Sequence, residues 1–308
     1  MQIVDLTVVL IVSMKVLKVN MIYDIVISIQ FFLLLKLSNL ILYKMKTYTE
    51  VQISIFYRFF INYIYNILTF FYPITLINKN NIYNGDTSCI YISRHTTHNY
   101  ELLLGLFSIN KFSKKPIRGL GHFLIYLMCP WYLLLGIVVG TRQAADQLIK
   151  NNEYLFIIPG GGEEMTFGSE SFYKTNWFSK SKKYKTGFAQ LAYNNNIPII
   201  PIHGKNVEYM VFSPLIYIAN YIKLTKYFDI LMNSIDNLFI YKILFYIKMT
   251  FTLICGSVLV VPIPTKIYLI IGNHIYKKNT DNETLLEFTQ RCEFELNKLI
   301  NQEKIKFI

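Results

Sequence analysis

Long apolar runs dominate the first quarter of the chain. Residues 22–43 form an apolar run of about the length that crosses a bilayer, although the run contains Asp24 and Lys36. Residues 52–77 form a second apolar and aromatic run, interrupted by one arginine. The pattern predicts membrane-anchoring segments over residues 1–77, either a hydrophobic hairpin or one span followed by an interfacial helix. The alternative, which the internal charges favour, is that these runs pack inside a soluble core.

From residue 78 onward the pattern changes to short alternating elements. A polar stretch at residues 78–86 opens this region, which we assign as one catalytic domain, residues 78–308. Short apolar, β-rich runs predict strands at residues 89–93, 137–139, 154–158, 197–202 and 266–271. Helical spacing predicts helices at residues 99–108, 142–150 and 186–194, and the pair Thr280 and Glu283 has capping-box spacing before a last helix. Such alternation predicts an α/β domain with a mostly buried mixed sheet flanked by helices.

Residues 214–259 do not follow this alternation. They form a long apolar stretch in which single lysine and aspartate residues are scattered. We expect an insertion in the catalytic domain, a pair of helices embedded in the membrane surface.

Composition and charge point to lipid rather than to nucleic acid. Hydrophobic residues make up 53% of the chain and charged residues only 16%, whereas soluble domains carry about a quarter charged residues. The net charge is +12, but the lysines lie between apolar runs and no nucleic-acid-binding motif is present. An anionic bilayer surface and an anionic substrate such as coenzyme A are the partners that fit this charge. A basic surface that is merely solvated is the alternative.

The cysteines argue against both a disulfide scaffold and a cysteine-based metal site. Cys89, Cys129, Cys255 and Cys292 are far apart, and no two have C-x-x-C spacing. This usage is typical of a domain in a reducing compartment, and we expect the catalytic domain to face the cytosol.

The first cluster with chemical potential runs from Ser93 to Glu101. It follows a predicted strand and enters a predicted helix, with His95 in the loop and Glu101 in the first turns of the helix. A hydroxyl becomes a good nucleophile when a base removes its proton, and a histidine can do so if an acidic side chain fixes its tautomer. A histidine with an acid six positions later is a weak signal when it stands alone.

The second cluster follows the strand predicted at residues 154–158. It consists of Pro159, three consecutive glycines, and Glu163 and Glu164. The glycines Gly160, Gly161 and Gly162 let the backbone approach another molecule closely, and their amides can bind an oxyanion. A flexible turn is the structural alternative. The spacing fits neither the P-loop nor the dinucleotide-binding glycine pattern.

Taken together, the two clusters resemble the glycerolipid acyltransferase superfamily. The chain shows His-x5-acid, Gly-x-Arg, Pro-Gly-Gly after a strand, Gly-Phe-Ala-Gln-x-Ala and Ile-Pro-Ile-Ile-Pro in that order, from about residue 88 to residue 299. The spacing of base and acid is most similar to the branch that contains transmembrane protein 68 and the phytyl ester synthases.

The resemblance implies roles for individual residues. His95 matches the general base and Glu101 its charge partner, while Gly140 and Arg142 match a substrate-binding motif. Pro159, Gly160, Gly161, Gly162 and Glu164 match the Pro-Gly-Gly-x-x-Glu element of substrate binding. His122 has a counterpart in the branch, but a packed core histidine is the favoured interpretation. The implied reaction uses acyl-CoA as co-substrate, or another acyl lipid as the donor, and needs neither a metal nor another cofactor.

One departure from the pattern bears on the acceptor. Phosphate-using members carry an arginine where this chain has Glu163. A carboxylate there would repel a glycerophosphate. We therefore expect transfer of a fatty acyl group to a neutral glycerolipid such as a mono- or diacylglycerol, in triacylglycerol synthesis at the endoplasmic reticulum membrane. The alternatives within the same resemblance are a lysophospholipid or glycerol-phosphate acyltransferase and an inactive membrane lipid-binding protein.

Two other enzyme classes fit the sequence less well. His95, His98 and Glu101 could supply three zinc ligands, but no fourth ligand is evident. A serine hydrolase would be expected to carry a Gly-x-Ser-x-Gly elbow, and the chain has none.

Overall fold

We describe a computed structural model, covering residues 55–96, 100–122, 135–165, 175–178, 183–257, 260–278 and 283–306. The predicted anchor at residues 22–43 lies outside the described residues. Within them, no helix combines the length and the apolar character that crossing a bilayer requires.

Within the described residues, seven strands form the central sheet. In chain order the strands are β1 Ile74–Ile77, β2 Ile90–Ile92, β3 Ile117–Gly121, β4 Ile137–Val139, β5 Tyr154–Ile157, β6 Ile199–Lys205 and, after a small hairpin, β9 Ile267–Ile271. Their order across the sheet is β1-β9-β6-β2-β5-β3-β4. All neighbouring pairs are parallel except β6 and β9, which are antiparallel. The hairpin pairs β7 Val211–Phe212 with β8 Val261–Pro262. The predicted mixed sheet is therefore confirmed.

Helices cover both faces of this sheet. They are α1 Ile55–Phe71, α2 Tyr100–Asn110, α3 Arg142–Lys150, α4 Gly162–Met165, α5 Gly187–Asn195, α6 Pro214–Tyr221, α7 Leu224–Asn233, α8 Leu238–Ser257 and α9 Leu285–Lys306. Alternate side chains of each central strand point to opposite faces. Ile90 and Ile92 join a core formed with α3, α5 and α9, whereas Tyr91 joins a core formed with α1 and α2. The domain is thus a helix–sheet–helix sandwich.

The boundary placed after residue 77 does not coincide with an edge of this fold. Strand β1 pairs with β9 in the main sheet. Ile61 and Tyr65 of α1 are buried in the core beside α2. The described part of the predicted anchor, residues 55–77, is therefore integrated into the catalytic domain.

Two local predictions were wrong. The capping box of the last helix is formed by Thr284 and Glu287, because the Thr284 N–H donates to the Glu287 carboxylate at 2.8 Å and the Glu287 N–H donates to Thr284 Oγ1 at 3.3 Å. The predicted acid, Glu283, instead binds Arg291 at 2.9 Å. Residues 214–257 form three helices, α6, α7 and α8, rather than a pair, and they extend from the β7–β8 hairpin.

Candidate functional site

The predicted site residues follow strands that end at one edge of the sheet. Strands β2, β5, β3 and β4 are mutually parallel neighbours, and so their carboxyl ends lie at the same edge. His95 follows β2, the glycine cluster follows β5, His122 follows β3, and Gly140 follows β4. Because β2 and β5 are adjacent, His95 lies close to this cluster, whose residues 159–162 are called here the glycine turn.

The half-buried side chain of His95 lies just beyond β2. Its ring atom Nδ1 is 2.6 Å from the carbonyl oxygen of Thr96. A carbonyl can only accept a hydrogen bond, so Nδ1 must carry the proton. In the neutral ring this leaves the lone pair on Nε2. The arrangement gives the imidazole the tautomer that a general base needs.

Glu101 lies in the first turn of α2, close to the same loop. Its carboxylate accepts hydrogen bonds from the backbone N–H of Thr96 at 3.3 Å and from the Thr96 hydroxyl. Among the described contacts, the ring of His95 is therefore oriented by the Thr96 carbonyl, and Glu101 holds the residue that carries this carbonyl. The predicted direct pairing of His95 with Glu101 is replaced by one through Thr96. The role of Glu101 in catalysis stays a prediction.

Glu164 ties the glycine turn to His95. One oxygen of its buried carboxylate accepts the backbone N–H of His95 at 2.8 Å, and the other accepts the N–H of Asn176 at 2.8 Å. A Cβ placed on Gly160 would lie 1.8 Å from the carboxyl carbon of Glu164. Only glycine fits at this position, because any side chain would displace the carboxylate.

The glycine turn is tight, and the ammonium group of a lysine is bound to it. Gly161 has φ of 60°, a conformation that glycine adopts without strain, and its N–H donates to the Ile158 carbonyl at 3.1 Å. The ammonium group of Lys185 donates to the Gly160 carbonyl at 2.5 Å. A cation is thus fixed on the same turn that packs against His95.

Buried charges lie beneath the loop. Arg94, only 1% exposed, pairs with Glu208 at 3.6 Å. Glu208 lies in the turn that follows β6, a strand parallel to β2 on its other side. This ion pair links the chain on each side of the site and fixes the residue that precedes His95.

Gly140 and Arg142 lie at the same edge but further away. Strand β4 is the third strand from β2 in the sheet order, which corresponds to about 14 Å at the usual strand spacing. Arg142 is exposed and donates to the Gln190 side chain at 2.8 Å. Their separation from His95 leaves room for an extended substrate along the edge.

Burial shifts the pKa of three groups in the site. It lowers the pKa of His95 to about 4, with the nearby Lys185 ammonium acting in the same direction. It raises the pKa of Glu101 to about 7 and that of Glu164 to about 7, although hydrogen bonds and Arg94 oppose both shifts. At neutral pH the imidazole is therefore uncharged and can accept a proton.

Replacing Glu164 by glutamine should change how stability depends on pH. The pKa of Glu164 is raised to about 7 in the folded protein. The contribution of this carboxyl group to the free energy of unfolding is therefore fully present below the pKa that the group has in the unfolded chain, and it is lost as pH rises through about 7. The Tm of the wild type minus that of Glu164→Gln should therefore fall between about pH 5 and about pH 8.

Glu287→Gln is a matched control, for which the Tm difference should change with pH in the opposite direction. Hydrogen bonds from Thr284 lower the pKa of Glu287, so the corresponding Tm difference should grow as pH rises through the acid range. A Tm difference for Glu164→Gln that rises with pH would contradict the buried position of this carboxylate.

Several residues of the site were not predicted from the sequence. They are Arg94, Thr96, Asn176, Lys185 and Glu208. Arg94 and Thr96 flank His95, and their position in the cluster from Ser93 to Glu101 could have indicated that they belong to the site. Lys185 lies in a lysine-rich stretch, where nothing in the sequence sets it apart. His98, considered as a zinc ligand, lies outside the described residues, and the described residues contain no cluster of three metal-binding side chains.

Comparisons with known proteins give a short sequence match and a similarity of fold. No protein-family profile matches the chain. A chicken (Gallus gallus) protein named "DGAT1/2-independent enzyme synthesizing storage lipids" is 33% identical over 75 residues, which are 24% of this chain. The chain spans about a fifth of the length of that relative, 21%. The crystal structure of the 1-acyl-sn-glycerophosphate (LPA) acyltransferase PlsC from Thermotoga maritima is similar with a TM-score of 0.46 and 15% identity, over 82% of this chain and 79% of that one.

Proposed function

We propose that the protein is an acyltransferase that moves a fatty acyl group from acyl-CoA to the hydroxyl of a neutral glycerolipid. The observation that carries the proposal is the hydrogen bond between His95 Nδ1 and the Thr96 carbonyl, 2.6 Å long. It leaves Nε2 as the free base beside a glycine turn at the carboxyl edge of the sheet. The chicken relative, named as an enzyme that synthesises storage lipids, supports lipid acylation.

The chemistry needs only the side chains present. The acceptor hydroxyl gives its proton to His95 Nε2 while its oxygen attacks the thioester carbonyl carbon. The tetrahedral intermediate then collapses, the carbon–sulfur bond breaks, and the coenzyme A thiolate takes the proton back from the imidazolium. The positive charge of Lys185 on the glycine turn favours negative charge that develops on the carbonyl oxygen.

The acceptor is assigned from charge. Glu163 stands beside the glycines, where an arginine would pair with a phosphate. A like charge on a glycerophosphate would be repelled at short range. We infer that a mono- or diacylglycerol is the acceptor, and that membrane lipids deliver it.

A panel of acceptors tests this assignment. Full-length protein would be given radiolabelled acyl-CoA with diacylglycerol, monoacylglycerol or lysophosphatidate, each in the same mixed micelles. We expect labelled ester from the neutral acceptors and little from lysophosphatidate. Faster acylation of lysophosphatidate than of either neutral acceptor would favour the glycerol-phosphate alternative, and ester from none would favour a lipid-binding protein.

Glu163→Arg should shift acceptor preference toward phosphate. The substitution replaces repulsion by a charge-assisted pair, and the ratio of kcat/KM for lysophosphatidate over diacylglycerol should rise by about tenfold or more. Glu163→Gln is the matched control, because it removes the repulsion without adding a partner, and its ratio should lie in between. An unchanged ratio in both variants would show that residue 163 does not face the acceptor.

A further inference from the structure

Residues 214–257, which form the helices α6, α7 and α8 and are called here the insertion, expose an unusual amount of apolar surface. Twelve of the 22 exposed large apolar side chains among the described residues belong to it. Soluble monomers rarely leave a contiguous apolar patch of this kind uncovered. The surface therefore requires an apolar partner.

Helix α8 has an exposed apolar side and, opposite it, a buried side. One side is exposed and carries Phe239, Ile240, Ile243, Tyr246 and Ile247. Their spacing follows one helical stripe. The opposite side is buried against the rest of the fold and carries Lys248, Met249, Thr252 and Cys255. The exposed stripe is therefore not the side that holds the helix in place.

The charges around this apolar surface favour an anionic partner. Lys223, Lys226 and Lys242 are exposed in the insertion, and Asp236 is its one exposed acidic residue. The remaining acid, Asp229, binds the buried Lys248 at 2.6 Å and joins α7 to α8. Exposed apolar side chains flanked by lysines are the pattern of helices that lie in the interface of an anionic bilayer.

The insertion is continuous with the candidate site. A Cβ on Gly162 would lie 3.1 Å from both the Met249 sulfur and the Phe245 ring, so α8 packs directly on the glycine turn. The Tyr246 ring, part of the exposed stripe, is 6.2 Å from the ring of His122 after β3. One helix thus joins the exposed apolar surface to the edge of the sheet that carries His95.

A second exposed apolar patch lies near the base of the insertion. Phe70 and Phe71 at the end of α1 are 82% and 53% exposed. The next residue, Tyr72, donates its hydroxyl hydrogen to the Met210 carbonyl at 3.1 Å, close to the start of α6. The second patch therefore lies near the point where the insertion leaves the main domain.

We propose that the insertion lies in the surface of an anionic bilayer, with the exposed stripe of α8 in the lipid, and that the lipid acceptor moves along α8 to His95. Entry of a lipid acceptor rests on the proposed function, whereas docking on the bilayer does not. The partner is a lipid surface rather than a protein because exposed lysines outnumber exposed acids in the insertion and because the stripe leads to the site that takes a lipid.

A fluorescent label on α8 tests the docking in the full chain. The described cysteines Cys89, Cys255 and Cys292 are buried, so Ile243→Cys in a Cys129→Ser background presents one reactive thiol for the dye NBD. Phe294→Cys in the same background is the matched control, since Phe294 is 65% exposed on α9, away from the insertion. With phosphatidylcholine and phosphatidylserine vesicles, the label at 243 should shift to the blue and be quenched by doxyl lipids.

The label at 294 should show neither change. A label at 243 that stays in water while the protein floats with the vesicles would overturn the proposal. A blue shift that appears without vesicles and grows with protein concentration would also overturn it, because it would assign the stripe to a second copy of the chain.

Activity measurements separate docking from chemistry. The double variant Ile243→Asp/Ile247→Asp should lose about tenfold or more of the turnover on vesicle-borne diacylglycerol. It should keep wild-type turnover on a short-chain acceptor that is soluble as a monomer. Leu286→Asp/Phe294→Asp, at exposed positions of α9, should match the wild type on both.

Equal loss on both acceptors would overturn delivery along α8. If the wild type transfers acyl groups to no acceptor while the label at 243 enters the bilayer, the proposed function fails and the docking stands.

Discussion

Replacing His95 by alanine should lower the rate of acyl transfer by about 100- to 10,000-fold, the range that loss of a general base produces. The variant keeps the backbone N–H that donates to Glu164 at 2.8 Å, so the loop stays attached to the glycine turn. What it loses is Nε2, the atom that takes the acceptor proton in the proposed mechanism. Initial rates with saturating acyl-CoA and diacylglycerol in vesicles would measure the effect.

His274→Ala is the matched control for this variant. His274 is exposed, and its Nε2 contacts the Asn81 carbonyl at 2.8 Å on another part of the surface. We expect its turnover to stay close to that of the wild type. Wild-type turnover in His95→Ala, with the fold intact by circular dichroism, would remove His95 from the mechanism.

Gly160→Ala should abolish most activity without touching any reacting group. The added Cβ would lie 1.8 Å from the Glu164 carboxyl carbon, a distance at which one of the two must move. Moving the carboxylate breaks its hydrogen bonds to His95 and Asn176, and overpacking of this kind destabilises by about 1–3 kcal/mol. We expect a lower Tm together with a fall in kcat, because the His95 loop loses its attachment.

Gly187→Ala is the matched control, because the space around this glycine can hold a Cβ atom, and we expect the opposite result. Gly187 begins α5, and no atom lies within 4 Å of a Cβ placed there. Alanine in a helix is more stable than glycine by about 0.5–1 kcal/mol, so Tm should rise slightly and kcat should not change. A Gly160→Ala variant as active as Gly187→Ala would show that the glycine turn does not position His95.

The sequence predicted elements well where their signal was local. Helix α3 was predicted at its observed bounds, Arg142–Lys150, and its N-cap Thr141 accepts the Ala144 N–H. Strand β4 was likewise predicted at Ile137–Val139. Both elements carry their own pattern of apolar positions, and neighbouring residues decide where they start and end.

Strands that depend on residues far away in the chain were not predicted from the sequence. Strand β3 contains Arg118 followed by Gly119 and Gly121, a composition typical of a loop. Arg118 is nevertheless buried, because Glu153 pairs with it at 3.1 Å. Strand β1 was absorbed into the apolar run before it, and only its pairing with β9 identifies it. The capping box was misplaced for a similar reason: two Thr-x-x-Glu patterns follow one another directly before and at the start of α9, and Glu283 of the first one binds Arg291.

The residues of the site could be predicted from the sequence, but the contacts between them could not. His95, Glu164 and the glycines were identified from two clusters, and parallel strands bring those clusters to one edge. No pattern in the sequence indicates that a backbone carbonyl, that of Thr96, contacts the imidazole. Backbone groups carry no residue-specific signal, so this contact becomes visible only in the folded chain.

Product balance is the most direct test of acyl transfer. Purified full-length protein would be given acyl-CoA and diacylglycerol in vesicles, and free thiol, new ester and free fatty acid would be measured in the same sample. We predict one thiol released for each ester formed, with no release when diacylglycerol is left out. Free fatty acid in place of ester, or an intact thioester in the presence of both substrates, would contradict transfer by His95.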